Sequence, residues 1–132
     1  MSQVIYPDPK LTPGVFLLHA TAKEVCVPGY AQHLRNVPAS VKHQVFARYG
    51  LTTVNPVDYE VDHFCPLELA GANCLQNLWP QPRAGQWGAA KKDHLENVLH
   101  QMVCAGKLAL AEAQRDIMAD WVAAYKKHVG PA

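Results

Sequence analysis

The chain predicts an α+β fold, mostly helical with one small β-hairpin, and three observations carry that reading. Two long stretches, 89–105 and 110–128, repeat apolar residues at three- and four-residue steps, the period of an amphipathic helix. Two short apolar runs, one ending at Asp62-His63 and one opened by Asn77, are separated by Pro66, Gly71 and Asn73, as where a chain folds back on itself. With 132 residues, 49% hydrophobic and 17% charged, the chain suits one ordered domain and is too short for two independent ones.

Residues 1–14, with Pro7, Pro9, Pro13 and Gly14, read as an extended arm that wraps the domain. Val15 to Val27 suggests a short helix closed by Pro28-Gly29. Pro38-Ala39-Ser40 offers a helix start, Val41, Val45, Phe46 and Tyr49 mark one face, and Gly50 caps the end, so 40–49 reads as helical. Leu51 to Asp58 is a loop into the first strand. After the hairpin, Pro80, Pro82, Gly85 and Gly88 deliver the chain to the 89–105 helix, whose stripe is Leu95, Val98, Leu99, Met102 and Val103, and which Gly106 ends. The 110–128 helix then buries Ala113, Ile117, Trp121, Val122 and Tyr125 and packs back against it. The span 58–105 forms the core of the domain.

A formal net charge of +1 speaks against a binder that neutralises phosphates over a wide surface. A local positive rim remains available from Arg83, Lys91 and Lys92, just after the hairpin; Lys126, Lys127 and His128 read as a solvated helix face. No run of eighteen apolar residues is present, so no membrane span is expected. Met1 to Pro13 has no apolar core of a signal peptide, so the default expectation is cytoplasmic, or secreted or periplasmic if a leader was removed.

The chemistry concentrates between Tyr59 and Pro82. A histidine works as general base on water when its other ring nitrogen is held and a cation meets the charge developing on phosphate. Thirteen residues separate His63 from Asn77, whose side-chain amide or backbone carbonyl is expected to fix the hairpin and orient the imidazole. Adjacent strand residues point to opposite faces, so Asp62 and His63 share a site only where the strand ends or bends, and Pro66 favours an early end. Glu68, between Leu67 and Leu69, reads as solvent-facing.

Val61-Asp62-His63, Pro66-Leu67-Glu68-Leu69 and Asn77-Leu78-Trp79-Pro80 resemble the HNH, or ββα-metal, nuclease superfamily, and more narrowly a group of small bacterial HNH-type proteins. Tyr6-Pro7-Asp8-Pro9, Val25-Cys26-Val27-Pro28-Gly29-Tyr30, Trp87-Gly88-Ala89, Lys92-Asp93, Leu95-Glu96-Asn97 and the run from Val103-Cys104 to Gln114 extend the likeness over nearly the whole chain. The resemblance implies a metal-dependent endonuclease acting on DNA, perhaps also RNA, with little sequence preference. His63 is then the base, Asp62 a metal ligand, and Asn77 the residue that orients the base or holds the loop. Where the family places a second ligand at the start of the next helix, this chain has Trp87-Gly88-Ala89-Ala90. The candidates move to Asp93, His94 and His100, with Glu96 as a supporting acid preferred to His94, because 93, 96 and 100 share a helical face. Magnesium suits carboxylate ligands and phosphate; imidazole ligation shifts the choice toward zinc, manganese or nickel. A catalytically degenerate HNH-like scaffold or nucleic-acid-binding module is the competing expectation, and a toxin would bring an inhibitor protein as partner.

The four cysteines include no Cys-x-x-Cys pair, so the usual zinc clip of such domains is not expected. Cys26 and Cys104 lie in the shared flanking segments. A disulfide between them and a pair of reduced, buried thiols both remain open, as does pairing of Cys65 with Cys74 across the hairpin.

Overall fold

The N-terminal arm is held by side chains rather than by secondary structure of its own. Thr12 Oγ1 donates to the Leu78 carbonyl at 3.0 Å and accepts from the Tyr49 hydroxyl at 2.6 Å, while Arg48 donates to the carbonyls of Leu11 and Leu75. The computed structural model describes residues 4–131, so Met1, Ser2 and Gln3 of the expected arm lie outside the described residues.

Described residues form six α-helices and one two-stranded antiparallel sheet, in keeping with the expected α+β class. The expected helix over 15–27 shrinks to α1, Ala22–Val25. Its first half is pulled out of helical conformation because Val15 N–H donates to the Asn77 side chain, Leu17 N–H donates to the Ala70 carbonyl, and Phe16 bridges Gly71. Thr21 supplies the actual start through a capping box with Glu24. A short helix that the sequence reading did not anticipate, α2 (Tyr30–Leu34), follows, and α3 occupies Ala39–Arg48, one residue from expectation at each end.

Strands β1 (Tyr59–His63) and β2 (Leu78–Pro82) pair in register from Tyr59↔Pro82 to His63↔Leu78. The loop between them turns twice, at Leu67–Leu69 and Leu75–Asn77. It closes tightly at Gly71, where a Cβ would lie 1.8 Å from the Cys65 carbonyl oxygen, so no larger residue fits there. Helix α4 (Ala89–Cys104) follows β2 and lies against both the hairpin and its loop.

The expected helix over 110–128 is two helices, α5 (Leu110–Ala119) and α6 (Trp121–His128). Asp120 separates them in extended conformation. Its carboxylate caps α6 by accepting from Ala123 N–H at 3.0 Å and also accepts from the Tyr6 hydroxyl at 2.7 Å, so the break is held by two hydrogen bonds. Leu95, Leu99 and Val103 of α4, Ala113 and Ile117 of α5, and Trp121 of α6 build the core with Val25 and Leu69. Each fully buried leucine contributes about 2 kcal/mol. Cys26 and Cys104 form a disulfide between the end of α1 and the end of α4; Cys65 and Cys74 are not paired. No helix among the described residues is long and apolar enough to cross a membrane.

Candidate functional site

Opposite residues of an antiparallel pair share a face, so Glu60, Asp62, Trp79 and Gln81 lie on one side of the hairpin and Tyr59, Val61 and His63 on the other. The Asp62 side meets α4 through Lys92, and the other meets α3, where Phe46 and Tyr59 pack edge to face at 5.7 Å. A cleft of about 1100 Å³ is lined by β1 from Tyr59 to His63, by α3 and by Asp93 and Glu96 of α4. Because β1 has a strand on one side only, side chains from both of its faces border this cleft. That edge-on arrangement lets adjacent Asp62 and His63 line one cavity without the bend the sequence reading required.

Lys92, expected on a substrate-binding rim, is the most deeply buried charge in the region, with no exposed surface. Its ammonium lies 2.7 Å from Asp62 Oδ2 and 2.7 Å from Glu96 Oε2, and donates to the His63 carbonyl at 2.9 Å. Three donors thus meet three oxygens, the full capacity of the group. Trp79 Nε1 also donates to Asp62 Oδ2, at 3.3 Å. Burial alone would lower the Lys92 pKa, but Asp62 and Glu96 overcome it and hold the ammonium charged. Glu96 moves up, driven first by burial and then by the Asp62 charge, against the pull of Lys92. One cation shared by two carboxylates explains why lysine and glutamate both shift upward. Glu96, expected as a catalytic acid, here anchors Lys92.

His63 is held through Asn73, a residue the sequence reading treated only as a turn former. His63 Nε2 lies 2.9 Å from Asn73 Oδ1, while Asn73 Nδ2 donates to the carbonyls of Leu34 and Asn36, each at 3.2 Å. Those two carbonyls accept only, so they set the amide's orientation and leave its oxygen toward the ring. His63 Nε2 must therefore carry the hydrogen, and Nδ1 keeps its lone pair. Burial depresses the His63 pKa below its ordinary 6.5, with the Asn73 hydrogen bond and the Asp62 charge opposing and Lys92 and Arg35 adding to the effect. The ring is neutral at pH 7, the state a base needs.

Asn77 is buried and uses its whole side chain on the loop. Its oxygen accepts from Cys65 N–H at 2.9 Å and Val15 N–H at 3.1 Å, and its nitrogen donates to the carbonyls of Cys65 at 2.9 Å and Ala72 at 2.8 Å. No hydrogen bond joins it to the His63 ring among the described residues. Of the two roles expected for it, loop closure is the one the geometry supplies.

The expected metal set of Asp62, Asp93 and His100 does not converge. Asp93 and His100 are seven residues apart on α4, about 10 Å along the axis, too far for one ion with ligand distances of about 2–2.6 Å. His100 turns away from the cleft, its Nε2 2.9 Å from the Val25 carbonyl and its Nδ1 3.9 Å from Glu68. Glu68, expected in solvent, is thus partly covered and faces this ring. Asp62 Oδ2 is already committed to Lys92 and Trp79, while Asp93 is exposed at the cleft. These residues do not fit a shared divalent cation.

Of the expected rim, Arg83 alone borders the cleft, paired with Glu60 at 3.2 Å. Lys91 instead lies over the Trp87 and Tyr125 rings, 5.8 and 5.2 Å from their centroids. The cleft's other lysine and arginine, Arg35 at the end of α2 and Lys42 of α3, were not singled out from sequence. Comparison with protein-family models, with curated proteins and with solved structures returns no match.

Proposed function

We propose that the chain hydrolyses phosphodiester bonds in nucleic acid, DNA in the first instance, with His63 as the general base, and that β1, β2 and α4 serve as an HNH-like ββα unit carrying it. The single observation that supports this reading most is the fixed tautomer of His63: a neutral ring with Nε2–H held by Asn73 and a bare Nδ1, in a residue lining a large cleft. Nδ1 takes a proton from water, the hydroxide formed attacks phosphorus, the scissile P–O bond breaks, and the departing alkoxide takes a proton from solvent while the His63 imidazolium returns its own to solvent. Arg83, Arg35 and Lys42, all bordering the cleft, supply positive charge to the phosphate oxygens. Lys92 acts from beneath: by bonding the Asp62 carboxylate and the His63 carbonyl it fixes the end of β1.

The resemblance implies a divalent cation, magnesium first, and cleavage is measured with and without one. Purified chain is incubated with supercoiled plasmid, with magnesium, manganese or zinc and with chelator, beside the His63→Ala variant. The proposal expects nicking that disappears in the variant while near-ultraviolet circular dichroism is unchanged. Equal nicking by both proteins would remove His63 from the mechanism. The commitment of Asp62 to Lys92 favours a second reading, an HNH-like scaffold without catalysis; DNA binding with no cleavage under any of these conditions is its signature.

A further inference from the structure

Cys26, Cys104 and His100 form, among the described residues, the one group of His, Cys, Asp or Glu in which at least three ligand atoms all lie within 4.8 Å of one another. It stands apart from the cleft, at the corner where α1 ends against the last turn of α4. We propose that this corner is a thiol-dependent zinc site: reduction of the Cys26–Cys104 disulfide frees two thiolates that bind zinc together with His100 Nε2, with water in the fourth position. The inference is independent of the proposed hydrolysis, since none of the three residues borders the cleft.

The backbone is already arranged for both states. His100 and Cys104 are four residues apart on one helix face, and Cys104 Sγ lies 3.6 Å from His100 Nε2. Tetrahedral zinc, with Zn–S of about 2.3 Å and Zn–N of about 2.0 Å, places its sulfur and nitrogen ligands roughly 3.5 Å apart. The two sulfurs must part, to roughly 3.8 Å, which a Cα separation of 5.7 Å allows by side-chain rotation, and the His100 ring must turn Nε2 off the Val25 carbonyl toward them. Cys104 is exposed, so a reductant reaches the bond. Glu68 Oε2, 3.9 Å from His100 Nδ1, is placed to accept a hydrogen bond from that nitrogen, the outer-shell carboxylate typical of zinc-bound histidine.

A dithiol serves as the reductant. The dithiol passes two electrons and two protons to the Cys26–Cys104 bond, becoming a disulfide and leaving two thiols. Zinc displaces the two thiol protons to solvent. The His100 proton now shared between Nε2 and the Val25 carbonyl moves through solvent to Nδ1, where Glu68 accepts its hydrogen bond.

The test uses cobalt(II), which reports tetrahedral thiolate ligation by its absorption, on the 132-residue chain carrying Cys74→Ser and reduced by a phosphine that does not bind metal. The reduced protein is expected to take one equivalent of cobalt with a thiolate charge-transfer band that zinc displaces, whereas the oxidised protein shows none. His100→Ala is expected to lose the band, and Glu68→Gln to weaken binding about tenfold. A reduced, folded protein without the band, or an unchanged band in His100→Ala, overturns the proposal. Where reduction itself loosens the fold, recovery of the near-ultraviolet dichroism by zinc in the parent but not in His100→Ala supports it, and no recovery in the parent overturns it.

Discussion

His63, at the end of β1, and His100, late in α4, each have Nε2 at 2.9 Å from an oxygen. The oxygen near His63 belongs to an amide pinned by two carbonyls, in a residue that borders the cleft. The one near His100 is a backbone carbonyl, and the remaining nitrogen faces Glu68 beside a disulfide. The first environment leaves a lone pair for proton transfer. The second sets an oxygen beside each ring nitrogen and suits the ring to a structural or ligating role. Both histidines follow plausible motifs in the sequence; the second nitrogen's surroundings are what tell them apart.

The largest effect that separates the two regions is catalytic. His63→Ala is expected to lower plasmid cleavage by about 10²- to 10⁴-fold with the fold retained, by nicking assay and circular dichroism. Next comes the support beneath each ring. Lys92→Met leaves Asp62 and Glu96 buried without their cation and is expected to destabilise the chain by about 3–5 kcal/mol in denaturant unfolding. On the His100 side, replacing Cys26 and Cys104 by serine opens a link spanning 78 residues and is expected to cost about 4 kcal/mol by the same measurement.

A smaller change sharpens the account of His63 alone. The Asn73 hydrogen bond raises the His63 pKa against burial, so Asn73→Ala should depress it further and move the acidic limb of activity to lower pH. The sign for stability agrees: a depressed folded pKa means that the His63 contribution is present above 6.5 and fades as pH falls through that range. The smallest effect concerns Gln81, buried on the Asp62 face of the hairpin with neither amide atom hydrogen-bonded. Gln81→Met removes that unmet polarity and is expected to stabilise the chain by about 1 kcal/mol, read from the denaturation midpoint.

Much of this architecture was legible in the residues. The turn formers between His63 and Asn77 announced the hairpin, Gly50 marked the end of α3, and Gly106 the end of α4. The break between α5 and α6 had a local signal, Asp120 before Trp121, that helical periodicity across 110–128 concealed. Lys92 was misplaced because it stands in the charged run Lys91-Lys92-Asp93, although it shares a helical face with Leu95, Glu96, Leu99 and Val103. Helical phase could have found it; charge alone could not. Asn73 was beyond reach, since its role depends on carbonyls of Leu34 and Asn36 brought close only by the tertiary fold. The metal set failed for a matching reason: a shared helical face at 93, 96 and 100 says nothing of spacing along the axis.

The most direct measurement is the pH dependence of kcat/KM for cleavage of a phosphodiester reporter by the parent chain and by Asn73→Ala. An acidic limb with its midpoint below 6.5, moving lower still in the variant, is the result expected of a buried, neutral His63 acting as base. A limb above 6.5, or one at the same pH in both proteins, would contradict it.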